Sequence, residues 1–236
     1  MQTIFHPSKE RGVGEHGWLH ARYSFSFASY FDPERLQFGA LRVLNNDVID
    51  PGAGFGAHSH SDMEIITIPL SGSLAHQDSM GNSSVITTGE VQVMSAGTGV
   101  EHSEFNASKT DAIELLQIWI FPNTKNVAPR YDQRVIAVSE ERNRFQPIVG
   151  PMGTEALGIH QDAYLFLADI DASQEVVYTL QKKGNGVYFF LLEGEIEVEG
   201  KILASRDALG VWDTESVSLQ SKIPSRILAI EVPMGV

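Results

Sequence analysis

The stretch GAHSHSDMEI, residues 56–65, decides how the fold and the function of this sequence are interpreted. It places His58 and His60 one residue apart, just ahead of the acidic Glu64 and an apolar run. On a β-strand, side chains two positions apart project from the same face, so these two imidazoles point the same way. Two alternatives follow: a pair of metal ligands, or two polar residues that alternate along a strand.

Short strand-like segments surround this stretch. Segments 41–49, 63–70, 91–95 and 113–121 are rich in β-branched and aromatic residues. Turn-forming sequences such as SMGNSS and SAGTG separate them. No amphipathic helix of about 12 or more residues is indicated. The sequence therefore predicts a nearly all-β chain.

The two halves of the chain resemble each other. PLSGSLAHQDSMGNSSVITTGEVQVMS (69–95) aligns with LLEGEIEVEGKILASRDALGVWDT (191–214) as strand, glycine turn, strand, turn and strand. This pattern predicts a duplicated small barrel. The more polar segment 123–155 is interpreted as the connection between the halves, with a short helix expected near Ser139–Arg144.

Composition limits the kinds of partner and site. The 17 basic and 30 acidic residues give a net charge of −13, and the densest basic spot is Lys182–Lys183, so direct nucleic-acid binding is disfavoured while a protein partner is not. Because the chain has no cysteine, a metal must bind to nitrogen and oxygen ligands. The N-terminus lacks a signal-type apolar core and no apolar stretch approaches about 18 residues, so we expect a soluble cytoplasmic protein without membrane contact.

A second same-face pair follows in GVEHSEFN, where His102 and Glu104 are also two positions apart. Brought together by a barrel, the two pairs would offer three imidazoles and one carboxylate to a single ion. The spacing G-x5-H-x-H-x3-E over residues 52–64 resembles the first cupin motif, and the block from Gly89 through His102 to Asn106 resembles the second.

Departures from the usual cupin pattern indicate one branch of that family. Seven residues separate Glu64 from Gly72, and Ser95 stands where proline is usual. Together with HGWLHARYSFSFASYFDPERLQFGALRVLNNDVI, HQDSMGN, MSAGTGVEHSEFN, QIWIFP and PRYDQR, these blocks resemble the pirin family. The resemblance covers essentially the whole chain and is strongest over residues 10–135.

The resemblance implies an all-β fold with two cupin barrels, of the double-stranded β-helix or jelly-roll kind, packed in one chain. Residues 1–130 would form a metal-binding N-terminal barrel and residues 131–156 a connecting segment. Residues 157–236 would form a degenerate C-terminal barrel, completed by N-terminal or linker strands. Consistent with lost ligands, the second half has no H-x-H pair and a single histidine, His160.

The choice of carboxylate ligand is open from the residues alone. Glu64 lies four residues after His60 and would share its face in an unbroken strand, so strand parity does not separate it from Glu104. The pirin resemblance implies His58, His60, His102 and Glu104 as the metal ligands. Glu64 would then orient an imidazole or a polar group of the barrel.

The resemblance also implies a function: a quercetin 2,3-dioxygenase-like enzyme that opens the central ring of a flavonol with O2 and releases CO. One divalent ion is implied, with Fe(II) favoured, and Zn, Mn, Co, Ni or Cu suit the same ligands. Glu104 would also be the catalytic base for the flavonol hydroxyl. The alternative is a metal-loaded, redox-responsive regulator that binds a protein partner.

Other candidate residues receive structural interpretations. His16 and His20 are expected at the surface or in packing, and His76 in a hairpin hydrogen bond. Phe55 is interpreted as core or as the wall of a substrate channel, and the aromatic residues of segment 23–31 are expected to pack between the barrels.

Overall fold

The computed structural model describes residues 1–136 and 141–235, and these form 22 β-strands and one 3₁₀ turn, Ser8–Glu10. In the first half the strands are β1 (Gln2–His6), β2 (Gly12–Glu15), β3 (Leu19–Tyr23), β4 (Leu41–Ile49), β5 (Gly54–His60), β6 (Glu64–Ser71), β7 (Ser73–Asp78), β8 (Ser83–Thr87), β9 (Glu90–Ser95), β10 (Val100–Asn106), β11 (Ile113–Ile120) and β12 (Arg130–Val135). In the second half they are β13 (Gln146–Pro151), β14 (Leu157–Ile159), β15 (Tyr164–Ile170), β16 (Glu175–Thr179), β17 (Asn185–Glu193), β18 (Glu195–Val198), β19 (Lys201–Ala204), β20 (Ala208–Trp212), β21 (Ser216–Ser221) and β22 (Ser225–Pro233).

Each half combines one seven-stranded sheet with one four-stranded sheet. In the N-terminal half the strand orders are β12-β9-β6-β11-β4-β3-β2 and β5-β10-β7-β8. In the C-terminal half they are β1-β20-β17-β22-β15-β13-β14 and β16-β21-β18-β19. The central order β9-β6-β11-β4 of the first barrel is repeated as β20-β17-β22-β15 in the second. The predicted all-β architecture of two barrels in one chain is therefore confirmed.

Six strands outside these repeated units extend the large sheets, namely β2, β3 and β12 in the N-terminal sheet and β1, β13 and β14 in the C-terminal one. Strand β1, at the start of the chain, pairs with β20 of the C-terminal barrel, and β13, from the segment between the halves, pairs with β15. Strand β12 pairs with β9 of the N-terminal barrel. Of the short helix expected near Ser139–Arg144, Ser139 and Glu140 lie outside the described residues, and 141–144 are not helical. Within the described chain, no helix is long and apolar enough to span a membrane.

The two seven-stranded sheets pack against each other through a shared hydrophobic core. Ile66 and Leu116 of the N-terminal barrel belong to the same buried cluster as Phe190 and Leu228 of the C-terminal barrel. The central strands are buried on both faces, which explains their nearly continuous apolar sequences. Residues alternate between the shared core and a barrel interior, as Leu116 and Leu115 do on β11.

The expectation that the aromatic residues of segment 23–31 pack between the barrels is correct only for Phe25, which lies in the shared core. Tyr23, Phe27 and Tyr30 pack on one another inside the N-terminal half. Phe31 is 74% exposed. The chain leaves the sheet after β3 and turns at Ala28, which has a φ of 49°, so strand alternation no longer governs where these rings point.

The interiors of the two barrels differ in polarity. In the C-terminal barrel, β16 and β21 direct the apolar side chains of Val176, Tyr178, Val217 and Leu219 into a buried cluster. The corresponding strands of the N-terminal barrel are β5 and β10, which carry the histidine pair and the buried His102 and Glu104. On these two strands the second barrel thus has hydrophobic side chains where the first one has polar groups.

We predict that Phe190→Ala lowers the free energy of unfolding by about 3–5 kcal/mol, because it removes a fully buried ring from the core shared by both barrels. Phe31→Ala is the matched control: its ring is 74% exposed, and the expected change is within about 0.5 kcal/mol. Urea denaturation of the two variants measures both values. Similar losses in the two proteins would contradict the shared core.

Candidate metal centre

Strand pairing brings the three predicted imidazoles together. Strand β10 pairs with β5 in antiparallel register, and His102 lies directly opposite His58. The ring centroids are 4.4 Å apart for His58 and His102, 4.8 Å for His58 and His60, and 4.9 Å for His60 and His102. One ring nitrogen from each residue lies within 4.8 Å of the others. The three histidines can therefore bind a single ion.

The imidazoles of His60 and His102 are neutral. Burial, followed by the nearby His58, lowers the pKa of His60 to about 4. Burial and the three neighbouring histidines, His58, His60 and His76, lower the pKa of His102 to about 3. Neutral imidazole is the form that binds a metal.

Hydrogen bonding also suits metal binding. His58 Nδ1 lies 2.8 Å from the carbonyl oxygen of Gly56, so it donates its proton there and leaves Nε2 open. Both ring nitrogens of His102 are buried and have no hydrogen-bond partner among the described residues. Buried polar atoms without partners are costly, and a metal ion would satisfy one of these nitrogens. The donor set fits an ion bound by nitrogen and oxygen.

Glu104 lies beside this group, deep in the barrel. Gln117 Nε2 donates to one carboxylate oxygen at 2.9 Å, and Thr67 Oγ1 donates to the other at 3.4 Å. Burial, reinforced by the charge of Asp47, raises the pKa of Glu104 to about 7. A carboxylate oxygen of Glu104 groups within 4.8 Å with ring nitrogens of His102 and His76, rather than with those of His58 and His60. Its place as a fourth ligand thus remains a prediction.

Glu64 points away from the imidazoles. Between β5 and β6 the chain passes from the four-stranded to the seven-stranded sheet, and Asp62 has a φ of 46° at this crossing. Strand parity does not continue across such a break, which is why it could not place Glu64 from the sequence. The Glu64 carboxylate accepts a hydrogen bond from Ser95 Oγ at 2.7 Å and another from the backbone N–H of His160. It therefore bonds a polar group of the barrel wall and a segment of the second half.

His76 belongs to the site, although the sequence indicated only a hairpin hydrogen bond. That bond is present, because His76 Nε2 lies 3.3 Å from Asp78 Oδ2. The ring is also completely buried, 5.4 Å from that of His102, and burial lowers its pKa. The signal for this placement was the alternation of His76 and Asp78 on one strand, but only the pairing of β7 with β10 puts them behind the imidazoles.

Aromatic side chains border the imidazoles on the other side. Trp119 packs edge-on against His60 with centroids 4.9 Å apart. Phe55 packs edge-on against Trp18 and lies 6.3 Å from His58, so it forms part of the wall beside the imidazoles as well as part of the core. His20 is at the surface, as expected, where it is paired with Glu15. The rings of His58 and His60 are partly exposed, so the group is reached from solvent.

Comparison with known proteins supports a family assignment. A family model described as Pirin matches residues 5–120, and one described as the Quercetinase C-terminal cupin domain matches residues 148–232. The chain is 39% identical over 227 residues to a quercetin 2,3-dioxygenase of Escherichia coli K12, covering 96% of both chains. It is 36% identical over 227 residues to a pirin-like protein of Caulobacter vibrioides, covering 95% of this chain and 97% of that one.

Solved structures agree with this comparison. The crystal structure of YhhW from Escherichia coli superposes with a TM-score of 0.93 at 38% identity, covering 98% of each chain. The crystal structure of the bacterial pirin YhhW in complex with nickel(II) gives the same TM-score at 37% identity, covering 98% of this chain and 99% of that one. Both domain matches and full-length relatives agree with the resemblance expected from the sequence. The chain therefore belongs to the pirin family.

Proposed function

We propose that this protein is a metal-dependent dioxygenase that opens the central ring of flavonols such as quercetin with O2 and releases CO. The observation that carries the proposal is the convergence of three imidazoles with a buried carboxylate beside them, reached from solvent through partly exposed rings. The similarity to an Escherichia coli protein named quercetin 2,3-dioxygenase supports the substrate class.

The proposed ligands of one divalent ion are His58, His60, His102 and Glu104. Four ligands leave up to two positions open in octahedral geometry, and nitrogen and oxygen donors suit Fe(II), which we propose, as well as Zn, Mn, Co, Ni or Cu. Nickel(II) is present in the related YhhW structure. When bound, such an ion acts as a Lewis acid that lowers the cost of removing a proton from a substrate hydroxyl and orients the substrate.

Glu104 is the proposed base for the reaction. Its carboxylate would take the proton of the flavonol 3-hydroxyl at one oxygen, and the hydrogen bonds from Gln117 and Thr67 hold the group in place for this transfer. Trp119 and Phe55 provide apolar surface against which a flat aromatic substrate can pack. O2 adds across the deprotonated central ring, which opens with loss of one carbon as CO.

We predict that the metal-free protein binds one divalent ion per chain and that His102→Ala weakens this binding more than about 100-fold, because even the loss of an outer partner costs 10–100-fold. His20→Ala is the control, since His20 is exposed and paired with Glu15. Competition with a chelator of known affinity measures both. Equal affinity in the two variants would contradict the assigned ligands.

We predict that the iron-loaded protein bleaches the quercetin absorption band in air with release of CO, and that Glu104→Gln lowers the rate by about 10²–10⁴-fold because a positioned base contributes that much. Glu64→Gln is the matched control: its carboxylate is also buried, but it bonds Ser95 and keeps the activity within about threefold, since it touches none of the ligands.

Absence of quercetin turnover with all six ions would contradict the proposed dioxygenase activity. A partner protein captured only by the metal-loaded form would then favour the alternative, a regulator.

A further inference from the structure

Behind the proposed metal ligands lies another buried histidine, His76, which has no part in the proposed reaction. His76 lies on β7, directly opposite Glu104 of β10, and its side chain is completely buried. Its ring stacks on Tyr131 with centroids 4.7 Å apart and planes 29° apart. The ring is therefore held on one face by Tyr131 and at its Nε2 edge by Asp78.

Asp78 fixes the hydrogen-bonding state of this histidine. Its carboxylate accepts hydrogen bonds from the backbone N–H of Met80 at 2.9 Å, the backbone N–H of Asn82 at 3.0 Å and Asn82 Nδ2 at 2.8 Å. All of these are donors, so the carboxylate acts purely as an acceptor and His76 Nε2 donates its proton to it. In the neutral ring, Nδ1 then carries a lone pair and no proton.

That lone pair is buried and unused. His76 Nδ1 has no hydrogen-bond partner in the part of the chain that the structure describes. Ring nitrogens of His76 and His102 lie within 4.8 Å of each other, and both nitrogens of His102 also lack partners. The buried acceptor Nδ1 of His76 therefore lies next to the buried imidazole of His102, whose N–H has no acceptor in the described chain.

A histidine that binds a metal through one nitrogen almost always donates the other N–H to a protein acceptor, which sets the tautomer and the direction of the ring. His58 has such an acceptor in the carbonyl oxygen of Gly56. No equivalent partner is present for His102 among the described residues, apart from the neighbouring His76 and Glu104.

We propose that His76, oriented by Asp78, is a positioning residue of the metal centre: in the metal-loaded protein its Nδ1 accepts the N–H of His102 and thereby leaves the other His102 nitrogen free for the ion. The inference rests on the proposed metal site. His76 is not a ligand in this arrangement. The cluster of His76, His102 and Glu104 is not a second ion site either, because it shares His102 and Glu104 with the proposed ligand set.

The test compares two substitutions of His76 in the full-length, metal-free protein titrated with Co(II) against a competing chelator. His76→Leu removes the acceptor, and we expect Co(II) affinity to fall about 10–100-fold, with shifted visible absorption bands of the bound Co(II). His76→Asn keeps a side-chain oxygen near the position of Nδ1, and we expect affinity within about threefold of the unmodified protein and unshifted bands.

His6→Leu is the matched control for the loss of a buried histidine. His6 is 6% exposed, and its Nδ1 lies 2.8 Å from Tyr188 Oη, outside both histidine groups of the site. We expect this variant to melt at a lower temperature while its Co(II) affinity and absorption bands stay unchanged. A fall in Co(II) affinity in this variant as large as that of His76→Leu would overturn the inference, since general destabilisation would then explain both.

The outcomes separate this inference from the proposed function. If the unmodified protein binds no Co(II), the metal site and the role of His76 fail together. If it binds one Co(II) and His76→Leu binds equally well, only the role of His76 fails. If Co(II) affinity falls equally in His76→Leu and His76→Asn, His76 acts only through packing. If two ions bind per chain, His76 is a ligand. Either result overturns the proposal.

Discussion

The pairing of β10 between β5 and β7 is the constraint on which the site depends. It puts His102 between His58 on one side and Asp78 on the other, and it puts Glu104 opposite His76. Because side chains alternate along a strand, a slip of one residue would turn His102 and Glu104 out of the barrel together. The register of three strands, rather than the conformation of a loop, thus assembles the imidazoles and the carboxylate in one place.

Packing against the second barrel offsets the cost of burying polar groups inside the first barrel. The large sheet of the N-terminal barrel has one face on the core shared with the C-terminal barrel, so Ile66 and Leu116 contribute to stability while Thr67 and Gln117, on the opposite face, serve Glu104. The repeated strand order shows that both barrels have the same scaffold. The four-stranded sheet of the first barrel carries the buried His102 and Glu104, whereas the corresponding strands of the second barrel carry hydrophobic side chains. Among the polar side chains that the second barrel does bury, Asn185 donates a hydrogen bond to Glu231.

Local patterns in the sequence were sufficient for the strands, the duplication and the same-face pairing of His58 with His60, since alternation and spacing are properties of a single segment. That His102 would join this pair was expected from the barrel that the family resemblance implied. They were insufficient wherever the chain changes sheet or where a contact depends on register. Glu64 could not be placed because the chain crosses between sheets at Asp62. The site role of His76 depends on its cross-strand neighbour, and Phe31 is exposed because it lies beyond the regular strand.

The position of a bound ion tests the central claim most directly. Crystals of the Co(II)-loaded protein, measured at the cobalt absorption edge, locate the ion by its anomalous scattering. We predict one peak per chain, with ring nitrogens of His58, His60 and His102 and an oxygen of Glu104 at about 2.0–2.2 Å. A peak elsewhere, or one coordinated without Glu104, would contradict the arrangement derived from the strand register.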